Sequence, residues 1–289
     1  MASVLTNLFD GVAYGMLLFV LACGLAVTLG LMNFVNLAHG AFAMAGGYVC
    51  AVLVNNSGWP FFAALPLAFV ASAAIGILLE RLLYRHLYAR SHLDQVLFSI
   101  GLVFMSVAGV DFIMGSSRVF MKLPAALEGQ IDLFGVGIGR YRLMIVVICG
   151  LLTVALQLIL AKTRFGSRLR AAVDDPRAAI GLGINVPQVF AFTFAFGCGL
   201  AGLGGALSAE ILGLDPYFPL KFMIYFLIVV TVGGSSSITG PFLASLLLGI
   251  ADVAGKYYFP KVGPFVIYTV MIVILIWRPN GLFGRTAAR

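Results

Sequence analysis

A chain of 289 residues that is 62% hydrophobic and only 10% charged, with a mean hydropathy of +1.07, carries more apolar surface than one soluble core can bury. The lipid bilayer must therefore be its solvent. A net charge of +7 would suggest a polyanionic partner in a soluble protein, but here the cations are thinly spread between apolar runs, where they serve membrane orientation and argue against nucleic acid.

The expected class is an all-α, polytopic integral membrane protein with about eight to nine transmembrane helices in a single domain over residues 1–289. Cys23, Cys50, Cys149 and Cys198 sit singly in apolar runs and His39, His86 and His92 are dispersed, so no metal site is expected. Residues 1–80 contain neither Lys nor Arg, which argues against a cleaved signal peptide and allows an external N-terminus.

In chain order, Leu8–Leu31 is long enough to span the hydrocarbon, and Gly11 and Gly15 allow close helix contact. Met32–Gly40 follows as a polar island with Asn33, Asn36 and His39, leading into the small residues Ala41, Ala43, Ala45, Gly46 and Gly47. Polar groups are costly at membrane depth, and the apolar run before the Asn55–Pro60 turn is short. A broken helix whose island lines a cavity satisfies both facts; an interfacial loop is the alternative.

Phe61–Leu79 is the next span and ends in a connection carrying Arg81, Arg85 and Arg90, which marks it as cytoplasmic. Val96–Met114 crosses back, the mixed-charge stretch Gly115–Arg142 reads as a folded external loop, and Leu143–Ala161 returns inward. The longest charged interruption comes next, Lys162–Pro187, with Lys162, Arg164, Arg168, Arg170 and Arg177. Within it Asp175 suits an N-cap, Pro176 the first helical position and Gly183 a left-handed end, which predicts a helix of about two turns, Pro176–Leu182. So short a helix needs a partner. Ala178, Ala179, Ile180 and Leu182 are what it offers, and we read it as a docking helix on the cytoplasmic face. From the residues alone, a solvated loop made basic by membrane orientation stays open.

Val189–Leu207 places Gly197, Ala201 and Gly205 at four-residue spacing, the pattern of a tightly packed membrane helix. Leu220–Val232 stops at Gly233, Gly234, Ser235, Ser236, Ser237, Ile238, Thr239, Gly240 and Pro241, a second polar break, before Phe242–Val253 and the last span, Val262–Trp277. Two interrupted, undersized segments in corresponding parts of the two halves point to a transport path built on an internal repeat. With the basic tail inside, about nine crossings put the N-terminus outside; a re-entrant break makes them eight and brings it in.

The candidate path lining is Asn33, Asn36, His39, Gly46 and Gly47 from the first break and Gly233, Gly234, Ser235, Ser236, Ser237 and Thr239 from the second. Amide, hydroxyl and backbone groups can replace waters stripped from a zwitterion, and glycines would keep a lumen open. His39 reads as a structural hydrogen-bonding residue, with a proton relay as the alternative. Asp111 and Asp252, near span ends, read as interfacial charges, with lumen charges as the alternative.

Five motifs now align in order: Asn36-Leu37-Ala38-His39-Gly40, Glu80-Arg81 with Tyr84-Arg85, Asp174-Asp175-Pro176 with Ala178-Ala179 and Gly183-Ile184-Asn185, Gly233-Gly234, and Pro279-Asn280-Gly281-Leu282-Phe283-Gly284. Over nearly the whole chain they resemble the permease subunit of high-affinity branched-chain amino acid ABC uptake systems. That resemblance implies a multi-pass protein of the bacterial inner membrane, paired with a homologous permease or a second copy of itself. It further implies an extracytoplasmic solute-binding protein and two cytoplasmic ATPase subunits that use ATP and Mg. Residues 162–188 would be the coupling loop. Asp174, Asp175, Pro176, Arg177, Ala178, Ala179, Gly181 and Gly183 would form the ATPase-coupling helix, the charged residues orienting it and Ala178, Ala179 and Gly183 allowing close approach.

Such families also carry other amino acids, amides, urea and small carboxylated or aromatic compounds. No cofactor and no catalytic residue is expected in this chain: its nearest approach to a phosphate loop, Gly249–Lys256, has the wrong glycine spacing and Tyr257 after the lysine. An ion-coupled secondary transporter would need ionisable groups near span centres, and the central spans are nearly free of charge.

Overall fold

The computed structural model describes residues 2–32, 34–88, 90–133, 136–234 and 238–283, and eleven α-helices run through them. The helices α1 (Ala2–Met32), α3 (Phe61–Leu82), α4 (His92–Met114), α5 (Arg140–Lys162) and α8 (Val186–Ser208) are each long and apolar enough to cross a membrane. They extend the expected spans by several residues because a helix continues into the polar interface wherever no breaker stops it. Shorter helices are α2 (His39–Asn55), α9 (Phe218–Gly233), α10 (Thr239–Tyr258) and α11 (Gly263–Trp277). Two more, α6 (Arg164–Asp174) and α7 (Pro176–Gly181), occupy the charged central stretch.

α5 joins two unlike ends of the bundle, about 34 Å apart at 1.5 Å per residue. At its N-terminal end the stretch expected as a folded loop is one. An antiparallel hairpin pairs β1 (Gln130–Leu133) with β2 (Val136–Gly139), and Val119 bridges to Leu214. Asn55, at the end of α2, fixes this loop: its Nδ2 donates to the Phe120 carbonyl at 2.9 Å and its Oδ1 accepts from the Lys122 amide at 2.9 Å. At the other end α5 turns sharply into α6 and α7.

α8 lies at the centre, packed along α1, α2 and α3. From Gly197 to Ser208 every one of its residues is buried, which its small side chains make possible. A Cβ added at Gly205 would run into the Ala43 carbonyl of α2, and one at Gly46 would strike the Gly202 backbone of α8. On the far side of α1, a Cβ at Gly15 would lie 2.7 Å from the Ser245 carbonyl of α10, so the expected close contact is between α1 and α10. Lipid tails are as apolar as leucine, so helices gain little by merely hiding apolar side chains from them. Close backbone approach, with the dispersion contacts it brings, drives their association instead. α4 and α5 show the complementary case, presenting Phe104, Met105, Phe112, Val147 and Leu151 outward.

Two glycines separate these roles. Gly205→Ala should lower the unfolding midpoint of the detergent-purified protein, at a cost of about 1–3 kcal/mol for overpacking. Gly150→Ala on α5, where an added Cβ meets nothing within 4 Å, should leave the midpoint unchanged or raise it, the gain being up to about 1 kcal/mol. The check is thermal unfolding of both variants beside the parent chain.

Candidate functional site

The two-turn helix predicted from Asp175, Pro176 and Gly183 forms as α7. The Asp175 carboxylate accepts from the amides of Arg177 at 2.9 Å and Ala178 at 3.0 Å; a cap of this kind contributes about 1 kcal/mol. Gly183, with φ +80°, closes the other end: its amide donates to the Ile180 carbonyl and that of Ile184 to the Ala179 carbonyl, the paired bonds of a Schellman ending. The helix therefore stops at Gly181, one residue before the predicted Leu182.

α6 was not anticipated. Its three arginines mask an apolar stripe, Gly166, Leu169 and Ala172, all buried, while the Thr163 hydroxyl caps it by accepting from the Gly166 amide at 3.3 Å. Ala179 of α7 lies against this stripe together with Val186 and Val189 of α8. This corrects one expectation: Ala179 faces its own chain and is not available for close approach by a partner. The outward groups of α7 are Arg177, Ala178, Gly181 and the large apolar pair Ile180 and Leu182, 60% and 80% exposed. Asp174 ends α6, exposed like Gly183.

A groove of about 850 Å³ beside this cluster is lined by Phe69, Ile77, Phe192 and Phe196, with Arg168 at its margin. Its mainly apolar walls suit an acyl chain better than a polar solute.

The first polar break separates α1 from α2, and its Asn36 and His39 side chains turn inward. Asn36 is 1% exposed; its Oδ1 accepts from the Ala38 amide at 3.1 Å and from the Tyr84 hydroxyl at 3.0 Å, while its Nδ2 has no partner. His39 bonds through Nε2 to the Leu21 carbonyl of α1 at 2.9 Å and meets the Phe226 ring edge-on, which is a structural hydrogen bond. Gly46 and Gly47 are filled by neighbours, the Gly202 backbone and the Leu214 side chain. In this conformation they serve close packing and do not hold a lumen open.

Two residues outside the candidate list complete the break. Tyr84 is fully buried between Phe34, Phe98 and Phe194, and Gln95 accepts the Val35 amide at 3.1 Å. Tyr88 next to them donates to Glu80; burial pushes its phenol above the ordinary value, and the Glu80 carboxylate adds to that.

At the second break, α9 ends on Gly234, with φ +85°, and α10 begins at the exposed Thr239. Gly233 is pressed against Gly240 and Pro241. The tail folds over this junction: the Leu282 amide donates to the Val232 carbonyl at 2.8 Å, and Gly281 takes φ +79° where a Cβ would crowd Thr231 and Gly234. Asn33, Ser235, Ser236 and Ser237 lie outside the described residues. The two breaks therefore sit in different packing environments, the first against α3 and α4, the second under the C-terminal tail.

Charged residues gather at the hairpin end. Asp215 accepts from Lys221 at 2.5 Å and lies 3.5 Å from Arg118, Asp10 pairs with Arg142, and Asp252, 1% exposed, pairs with Lys256 at 2.5 Å. Burial raises the Glu210 carboxyl above its ordinary range, against the opposing pull of Arg142. Asp252 is thus a buried charge where an interfacial one was expected. Nothing in the sequence brought Asp10, Arg142 and Asp252 together, because they come from three distant helices.

Comparison with known proteins identifies relatives over nearly the whole chain. The chain is 28% identical to the high-affinity branched-chain amino acid transport system permease protein LivH of Escherichia coli K12, covering 97% of this chain and 96% of that protein. It is 29% identical to the corresponding BraD of Pseudomonas aeruginosa PAO1, with 97% and 96% covered. With LivM of E. coli K12 the identity is 26%, over 94% of this chain and 68% of LivM. No solved structure matches. Residues 7–275 match the family described as "Branched-chain amino acid transport system / permease component", and with most of its length covered the chain belongs to that permease family, as a transporter subunit and not an enzyme.

Proposed function

We propose that this chain forms, with a homologous permease, the membrane path of an ATP-driven importer of branched-chain amino acids. The observation that carries the reading is α7: a helix too short to persist alone is capped at both ends, anchored through Ala179, and left presenting Ile180 and Leu182 to its surroundings. Large apolar side chains held outward on a rigid, charged segment are what an apolar groove on a partner recognises. That partner is an ATPase subunit, one of two, using ATP and Mg. A soluble binding protein delivers solute at the hairpin end.

The partner permease is a homologue and not a second copy, a reading supported by the chain's likeness to both LivH and LivM, two permeases of one system in E. coli. The single permease domain spans 1–289, with residues 162–188 as its coupling loop, in a bacterial inner membrane. For the path, Gly234, Thr239 and the serines between them are the stronger candidates, together with Asn33; Asn36, His39, Gly46, Gly47 and Gly233 support the walls behind it.

Orientation follows from charge. Among the described residues, Arg81, Arg85, Arg90, Lys162, Arg164, Arg168, Arg170, Arg177 and Arg278 lie at the α7 end. The hairpin end has Arg118, Lys122, Arg140, Arg142, Lys221, Lys256 and Lys261, of which Arg118, Arg142, Lys221 and Lys256 are engaged by carboxylates. The larger number of Lys and Arg at the α7 end, nine against seven, supports an inward α7.

Two outcomes are expected. In right-side-out vesicles, Arg168→Cys should resist a membrane-impermeant maleimide until the vesicles are opened, against a low background because all four native cysteines are buried; labelling in sealed vesicles reverses the orientation. Ile180→Asp with Leu182→Asp should weaken ATPase association at least tenfold and abolish uptake without moving the unfolding midpoint, as co-purification and uptake into proteoliposomes would register.

A further inference from the structure

The groove of about 850 Å³ beside α7 is walled by two helical stripes: Phe69, Ala73 and Ile77 recur every four residues along α3, and Gln188, Phe192 and Phe196 do so along α8. At its deep end the Phe69 and Phe196 rings meet edge-on, with centroids 5.8 Å apart. The other end is polar, formed by Arg168 of α6 with Asn185 and Gln188, all three exposed. Among the described residues no carboxylate pairs with Arg168, and none lines the groove. Arg164, exposed and one turn earlier on the same face of α6, adds a second cation. Asn185 uses its Oδ1 to accept from the Gln188 backbone amide, which leaves its Nδ2 as a donor.

We infer that this groove holds one anionic phospholipid from the leaflet on the α7 side, its phosphate on Arg168, Asn185 and Gln188 and one acyl chain lying against Phe69, Phe192 and Phe196. Length agrees. From Asn185 to Phe196 α8 rises about 17 Å at 1.5 Å per residue, close to the about 15 Å that one leaflet contributes to the hydrocarbon core. Polarity runs in the matching direction, with the cation and amides at the end nearest water and the aromatic rings at depth. Charge selects the class of lipid: a basic pocket between membrane helices attracts an anionic headgroup, and the guanidinium fork suits phosphate oxygens. The ammonium of a zwitterionic lipid finds no counter-charge in this lining. Phe192 is 63% exposed, so the acyl chain can enter sideways from the bilayer. Leu182, Gly183 and Ile184 complete the lining, and a bound lipid therefore packs against the turn that joins α7 to α8. The site requires neither a transported solute nor an ATPase.

The test uses the full chain purified in detergent and stripped of lipid, with thermal unfolding in the presence of dioleoylphosphatidylglycerol, dioleoylphosphatidylcholine or inorganic phosphate. The anionic lipid should raise the unfolding midpoint in a saturable manner, and the other two should not. Arg168→Gln should raise the half-maximal concentration of the anionic lipid about fivefold, the effect of one basic residue at a membrane surface. Ala73→Phe, which fills the groove and alters no charge, should abolish the response. Unliganded midpoints report whether each variant is folded, and the exposed Arg168 position decides the matter if Ala73→Phe does not fold. Equal protection by the zwitterionic lipid or by inorganic phosphate, or an undiminished response in either folded variant, overturns the site. So does a fall from dimer to monomer in Ala73→Phe, read by light scattering, which would assign the groove to a second copy of this chain.

Discussion

The structure depends on how closely the backbone of α8 can approach α1, α2 and α3. In water such a bundle would be held by the release of apolar surface from solvent, but in lipid that driving force is nearly absent. Here the backbones come close enough that Gly202 and Gly205 on α8, and Gly24 and Gly46 facing it, leave no room for a side-chain carbon. The first break and α7 are both attached to this packed centre. The first break hangs from α1 by the His39–Leu21 bond, and α7 is held on α8 through the cluster of Leu169, Ala172, Ala179, Val186 and Val189.

That arrangement makes α8 a continuous packed connection from α7 to the hairpin end. Under the coupling role proposed for α7, a load on Ile180 and Leu182 would reach Ala179, which is buried against α6 and the first turn of α8. Asn185 caps α8 by accepting from the Gln188 amide at 3.1 Å, and Gly183 ends α7 only two residues earlier, so the connection is too short to absorb displacement by bending. Close-packed interiors transmit strain, and the glycine contacts continue the path from α8 into α1 and thence, across Gly15, into α10.

What the sequence could reveal follows the range of the interactions concerned. α7 was legible to within one residue because its caps are local, set by Asp175, Pro176 and Gly183 within a few positions of the helix. α6 was hidden although its caps are equally local, because Arg164, Arg168 and Arg170 dominate its composition and only the burial of Gly166, Leu169 and Ala172 exposes its amphipathic face. Both polar breaks could be located, since glycine, asparagine and serine interrupt apolar runs. Their surroundings could not: whether Asn36 faces a cavity or the Tyr84 hydroxyl depends on a residue 48 positions away. The glycines of the first break show the same limit, for Gly46 and Gly47 can open a lumen or admit a neighbouring backbone, and only the position of α8 decides.

The cluster of Asp10, Arg142, Asp252 and Lys256 was invisible for a related reason, and its depth bears on stability. Charges at span ends are ordinarily solvated, and a lone interfacial ion pair contributes about 0–1 kcal/mol. Asp252 instead gives up hydration on nearly its whole surface while only one of its oxygens is paired, an arrangement that lowers stability.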